Sequence, residues 1–273
     1  MSNLPNWAVG LLFLAAIVFL GVIHMGPTLK PAVIDVAQLA AQGQEIEEGF
    51  YAAPVVHTRT GEVLWARLEN ASFPMHYHGQ NEIVFALQGQ ATMKLLDGTS
   101  TTLNPGQLIV IPAGTATGFE VNADILLFST PPENDRDTVW LEGPMAKPGA
   151  KAPSREKPTI LDAVQRMAQG LDQQREGFQF TFIYRAKTGS VELFRIDRGV
   201  ALHKHPKENH VLYILKGRGL GTIGDKTAEV GRGQIVVIPA NIPHKLDRIG
   251  DEPLEFILFS TPPFDPNDIV WLK

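Results

Sequence analysis

The sequence predicts an all-β protein: two tandem antiparallel β-sandwiches or barrels, each preceded by a short helix, behind an N-terminal helix able to span a membrane. Three observations predict it. The chain repeats itself at an offset of 127–131 residues, most of each copy consists of short β-type runs between turn residues, and an uncharged apolar run opens the sequence. With 273 residues, 44 % hydrophobic and 19 % charged, the chain is too apolar for a disordered protein and long enough for two ordinary domains. A net charge of −5 gives no support to nucleic-acid binding, so no nucleic-acid partner is expected. The absence of cysteine excludes disulfides and thiolate metal sites, so any soft-metal site must be built from the eight histidines.

Trp7 to Ile23 carries no charge and no polar stripe. Seventeen helical residues reach about 26 Å, close to the thickness of a bilayer core. The segment before it, MSNLPN, has no Lys or Arg, and no small-residue cleavage site follows the run, which favours a retained anchor over a cleaved signal peptide. Lys30 after the span favours a cytoplasmic body, whereas the short leading tail suits a signal anchor with the body outside. The expectation is a single-pass anchor at residues 1–30 with an extracytoplasmic, for example periplasmic, body.

Beyond Lys30, KPAVIDVAQLAAQG (Lys30–Gly43) matches KPTILDAVQRMAQG (Lys157–Gly170). TGEVLWARLE (Thr60–Glu69) matches TGSVELFRID (Thr188–Asp197), and GQLIVIPAG (Gly106–Gly114) matches GQIVVIPAN (Gly233–Asn241). LLFSTPP and ILFSTPP (Leu126–Pro132, Ile257–Pro263) and the tails TVWL and IVWL complete the duplication. It divides the chain into a first domain at 31–142, a Pro/Gly/Ala/Lys-rich linker at 143–157 and a second domain at 158–273. The first domain holds 4 Lys+Arg against 14 Asp+Glu and the second 15 against 14, so the two surfaces differ.

Each copy opens with proline, spaces Val33, Val36 and Leu39 or Ala40 (Leu161, Val164 and Met167 or Ala168) as on a helix, and stops at glycine. Hairpins follow about Thr60-Gly61 and Thr188-Gly189. The next apolar runs break at Gly89 and Gly217. QLIVIPA and QIVVIPA are β-branched runs stopped by proline.

Histidines carry the functional signal. His203 and His205 at i and i+2 share one face of a strand, their Cβ atoms about 7 Å apart. His210 falls on the next strand and His244 at the start of another, an arrangement that suits a divalent transition metal such as Mn, Fe, Cu, Ni or Zn. His57 lies outside this constellation and reads as structural or surface. Trp140 and Trp271 in the tails read as closing the barrel or packing a subunit contact, with a homodimer as a partner state.

These motifs resemble the cupins, whose two signatures run G-x5-HxH-x3,4-E-x6-G and G-x5-PxG-x2-H-x3-N. The resemblance covers nearly everything after Lys30, twice over, and implies a bicupin of two double-stranded β-helix (jelly-roll) barrels. Carried over by position, it implies a four-histidine site at His203, His205, His210 and His244. His210 stands where the family has a carboxylate, since Glu208 and Asn209 do not keep the six-residue gap to Gly217. In the first copy His76, His78 and Glu82 match, but Thr117 stands where the distal histidine belongs, so that site is degenerate. The implied function is a metal-dependent oxidoreductase of the dioxygenase type, or a decarboxylase, acting on a small organic molecule. The alternative is a non-enzymatic metal-binding or ligand-sensing protein.

Overall fold

The computed structural model describes residues 29–272 except 147 and 150, so the apolar run Trp7–Ile23 lies outside the described residues. No helix among the described residues is long and apolar enough to cross a membrane. They form two compact all-β units, one within residues 40–162 and one of residues 29–39 with 163–272.

The strands in chain order are β1 (Ala32–Asp35), β2 (Gln44–Glu47), β3 (Phe50–His57), β4 (Glu62–Tyr77), β5 (Asn81–Leu95), β6 (Ser100–Leu103), β7 (Gln107–Ile111), β8 (Thr117–Thr130), β9 (Val139–Trp140) and β10 (Thr159–Asp162). They continue with β11 (Gln173–Arg175), β12 (Phe178–Arg185), β13 (Ser190–Ile196), β14 (Gly199–Lys204), β15 (Asn209–Lys216), β16 (Arg218–Ile223), β17 (Lys226–Gly231), β18 (Gln234–Ile238), β19 (His244–Ile249), β20 (Leu254–Thr261) and β21 (Val270–Trp271). Short helices occupy Val36–Gln42 and Ala163–Ala168.

The second unit closes from two sheets, ordered β1-β18-β15-β20-β13-β12-β11 and β17-β16-β19-β14-β21. In the first unit the corresponding strands run on without a break. β4, β5 and β8 are 16, 15 and 14 residues long and join the strands into one sheet, β10-β7-β5-β8-β4-β3-β2, with β6 on β5 and β9 on β4. The expected break at Gly89 is therefore a bulge beside Ala86/Gln88 within β5, whereas Gly217 does separate β15 from β16. Both glycines hold φ near +75°, and a Cβ would fall 2.1 Å from the Asn122 carbonyl or 2.3 Å from that of Pro253. Only glycine fits either place.

The short leading segments pair away from the copies they precede. Residues 32–35 are a strand on β18 of the second unit, with Ala32 opposite Val237, and residues 159–162 are a strand on β7 of the first. Each unit thus takes its edge strand from the segment leading into the other copy. The helices start later than expected, where the Asp35 side chain accepts the Ala37 N–H at 2.8 Å as an N-cap. In the second helix Ala163 and Met167, at i and i+4, face the core and Val164 is 58 % exposed. The linker, too, is partly ordered: Ser154 bridges Thr115, and the Tyr77 hydroxyl donates to the Lys151 carbonyl.

Apolar side chains fill both interiors. In the second unit Phe178, Phe180, Phe194 and Phe256 stack and Phe264 meets Phe180 and Phe194 edge-on, with centroids 5.2–6.3 Å apart, among Leu212, Ile214, Val236, Ile238 and Leu258. The equivalent core of the first unit is more aliphatic, around Leu64, Leu68, Ile109, Ile125 and Leu127.

Candidate metal centre

Register places the histidines. β14 pairs with β19 so that His203 lies opposite His244, while β15 puts His210 between Ile238 and Ser260. Asn209 fixes this corner. Its Nδ2 donates to the Thr261 carbonyl, just before the cis peptide to Pro262, and its Oδ1 accepts from Ala240 N–H. Asn81 makes the same two bonds, to Thr130 and Ala113, in the first unit. At the Pro239-Ala240-Asn241 turn, Asn241 holds φ +65° and donates its N–H to the His205 carbonyl at 2.7 Å, which ties the HxH strand end to the second motif.

His203, His205 and His244 converge, each offering a ring nitrogen within 4.8 Å of the others. The Nδ1 atoms of His203 and His244 bond the Ala201 and Ile242 carbonyls at 2.8 and 2.9 Å. A nitrogen facing a carbonyl must carry the proton, so both Nε2 atoms hold free lone pairs. His210 is arranged differently. Its Nε2 pairs with Glu208 Oε2 at 2.8 Å, and His205, Glu208 and His210 form a second triple of ligand-type atoms. The same oxygen lies 3.3 Å from His205 Nδ1, and the other, Oε1, accepts Asp265 N–H at 2.7 Å. The structure therefore brings three of the four expected histidines together and joins His210 to them through Glu208. The gap count to Gly217 passes over Glu208 because its role is set by a hydrogen bond and not by a motif position.

Burial sets the protonation states. It pushes His203 and His210 down to about 4 and His244 well below the ordinary histidine range, so all three are neutral near pH 7. Burial also pushes Glu208 up, but hydrogen bonds from His205 and His210 outweigh it and hold the carboxylate at about 2. Glu208 is thus a fixed negative charge behind an imidazole cluster. On β13 Glu192 is fully buried, and that burial holds its carboxyl well above the usual range.

The histidines close one end of a cavity of about 70 Å³, whose other walls are almost wholly apolar and include Phe178, Phe194, Phe256, Leu258 and Phe264. Lys245 is its one cationic neighbour, and its ammonium is drawn away to Asp247 at 3.0 Å.

In the first unit Thr117 faces His76 in the register where His244 faces His203, and Glu82 sits between Ile111 and Ser129 as His210 does between Ile238 and Ser260. The structure groups His78 and Glu82 with Glu133 rather than with His76. His76 stacks on Trp140 at 4.6 Å, and its Nδ1 bonds the Pro74 carbonyl. Burial pushes His76 and His78 down to about 4, and it pushes Glu82 up to about 7. His57 is partly exposed and bonds Glu62 at 2.9 Å. The tails close onto the first histidine of each pair, with Trp140 buried and Trp271 54 % exposed.

Two antiparallel barrels, each with a histidine-bearing corner, define a double-barrel protein with a metal-type site. A family profile for the cupin domain matches residues 64–125 and 193–260. An uncharacterized protein of Streptomyces coelicolor is 32 % identical over 79 residues, 29 % of this chain and 75 % of that protein. One from Methanocaldococcus jannaschii is 42 % identical over 67 residues, 24 % of this chain and 54 % of that protein, so the match spans about half of its length. Among solved structures, oxalate decarboxylase from Bacillus subtilis aligns with a TM-score of 0.56 at 16 % identity, covering 90 % of this chain and 80 % of that one. The oxalate decarboxylase formate complex from Lactobacillus farciminis gives 0.56 at 19 %, covering 90 % of each. A cupin 2 conserved barrel protein from Leptotrichia buccalis gives 0.62 at 13 %, covering 86 % and 98 %. The chain belongs to the cupin family and carries two cupin domains. At these identities the structural likeness speaks for the fold.

Proposed function

We propose that the second barrel binds a divalent transition metal through His203, His205 and His244, with His210 as fourth ligand or as the link to Glu208, and acts on a small, uncharged organic substrate. The observation that carries this reading is the convergence of three buried imidazoles at the polar end of an apolar cavity. The donor set fits the ion. Two Nε2 lone pairs face inward, imidazole suits Zn, Cu, Ni and Fe, and Glu208 offsets part of the positive charge from behind the ligands. A bound metal would supply Lewis-acid or dioxygen chemistry at a substrate oxygen, in keeping with an oxidoreductase of the dioxygenase type. The chain's own residues would hold the substrate among phenylalanines, exclude water and orient His205 and His210 through Glu208.

The cavity disfavours a dicarboxylate. Oxalate carries two negative charges, and a dianion buried against phenylalanine and leucine without arginine or a free lysine is costly. Neutral diketones or hydroxylated aromatics fit the lining better than the substrate named for the oxalate decarboxylases. Elemental analysis of the untagged full-length protein should find an imidazole-held metal that His203→Ala combined with His205→Ala removes. The metal-replete protein should turn over uncharged members of a panel of diketones, phenols and carboxylic acids before oxalate. Metal binding without turnover would make the protein a non-enzymatic binder, and retention of that metal in the double variant would remove the site.

The apolar run Trp7–Ile23 supports a membrane tether, with the body on the extracytoplasmic side. Full-length protein is expected to stay in the membrane fraction through carbonate extraction. Release by carbonate, or a mature chain beginning after Ile23, would make the segment a signal peptide.

A further inference from the structure

We propose that an aromatic carboxylate docks in a groove of the second unit, its carboxylate between Arg175 and Arg198 and its ring against Trp271. The groove has a volume of about 700 Å³ and none of the histidines lines it, so this site goes beyond the reading given for the second barrel and does not depend on it. It opens where the unit's two sheets end, one at β11 and the other at β21. Arg175 stands on β11 and Trp271 on β21, with Arg198 in the turn between β13 and β14.

Two glycines hold the rim. Gly177 keeps φ at +85°, and a Cβ on it would fall 2.3 Å from the Gly199 carbonyl, while a Cβ on Gly199 would meet Asp247 Oδ1 at 2.6 Å. Asp197 N–H donates to the Gly177 carbonyl at 3.1 Å. The turn next to Arg175 is thereby locked against the turn carrying Arg198, so the stems of both side chains are fixed before a ligand arrives. Arg175 uses one N–H on the Gln174 carbonyl at 3.0 Å, and among the described residues neither guanidinium is paired with a carboxylate. Glu176 is the one acidic residue of the lining. Two guanidiniums against it leave a single positive charge, which suits a monoanion.

Most of the remaining lining is apolar. Trp271 is 54 % exposed, and the inner side of its ring packs on His203 at 5.2 Å. Phe178, Phe264 and Ile269 line both the groove and the histidine-capped cavity, so they form the wall between the two. An open indole beside phenylalanines offers a surface to a flat ring, and free guanidiniums at the rim select a ring that carries an acid. The first copy lacks this set. Glu47 and Asn70 stand at the positions of Arg175 and Arg198, and Trp140 is only 6 % exposed. The arginines and the open indole thus occur together in one unit and are lost together in the other.

Calorimetric titration of naphthalene-2-carboxylate into the full-length protein tests this, in chelator so that no carboxylate can bind through a metal ion. One equivalent should bind, and naphthalene-2-carboxamide and acetate should each bind roughly tenfold or more weakly. Arg175→Gln and Arg198→Gln should each weaken the carboxylate by about fivefold or more and leave the amide unchanged, and Arg198→Lys should fall between parent and Arg198→Gln. Trp271→Leu should weaken acid and amide alike. Binding should survive His203→Ala combined with His205→Ala, which keeps this site distinct from the metal centre. Circular dichroism and urea midpoints check that each variant is folded. No binding, equal affinity for acid and amide, or loss of binding in the double histidine variant would overturn the proposal and leave the reading of the second barrel untouched.

Discussion

Replacing Glu208 with leucine is expected to cost the metal-free protein about 3 kcal/mol and to lower metal affinity in the second barrel by about 10- to 100-fold. The carboxylate is 3 % exposed and serves three groups: His210 Nε2 at 2.8 Å, Asp265 N–H at 2.7 Å and, at 3.3 Å, His205 Nδ1. Leucine fills the volume but leaves the His210 and Asp265 donors buried without acceptors. It also releases the segment carrying Phe264, which otherwise hangs from Ser190 Oγ and Arg185. Glu208→Gln separates the two effects. Its carbonyl can still accept Asp265 N–H, while its amide points a donor at His210 and demands the opposite tautomer. Stability should therefore fall less in glutamine than in leucine, with metal affinity lowered in both. Urea midpoints and metal titrations of the three proteins decide it, and a leucine variant as stable as the parent would show that Glu208 is a bystander.

How far the sequence reveals this arrangement depends on how local each cause is. The strands QLIVI and QIVVI and the hairpins at Thr60-Gly61 and Thr188-Gly189 form where β-branched runs and turn residues place them, because steric preference acts within a few residues. The pairing of Ala32–Asp35 with β18 is hidden, since its partner lies about two hundred residues away and nothing in AVID names it. The helical spacing of Val33, Val36 and Leu39 describes a longer helix than forms, because an open sheet edge takes the first residues as a strand. HxH and the distal histidine are legible as a pattern, and Thr117 is legible as a gap in it. Glu208 and Glu133 are not, for each acts through a fold contact. A signal for Glu133 does exist in the repeat, where the identical STPP is followed by Glu133 in one copy and Phe264 in the other.

Acidifying the metal-free protein from pH 7 to pH 5 is expected to lower its urea midpoint steeply. His76, His78, His203 and His210 are held at about 4 and His244 well below the ordinary range, chiefly by burial. In the unfolded chain the same rings take up protons below about 6.5. Between those limits the unfolded state binds more protons than the folded one, so stability drops as pH falls. Two carboxyls oppose this. Glu82, raised to about 7, and Glu192, raised well above its ordinary range, keep protons in the folded state that the unfolded chain releases, which favours the fold at low pH and is lost as pH rises. Five histidines against two carboxyls leave a net uptake of protons on unfolding as pH falls below about 6.5, so stability falls across that window. His203→Gln with His244→Gln removes two of the five rings and should flatten the dependence accordingly. Bound metal should add stability at pH 7 and lose that addition over the same window, because protons and metal compete for the same lone pairs. Midpoints measured at pH 7, 6 and 5 in chelator test the sign directly, and a midpoint that holds steady or rises on acidification would mean that the imidazoles are not held neutral by burial.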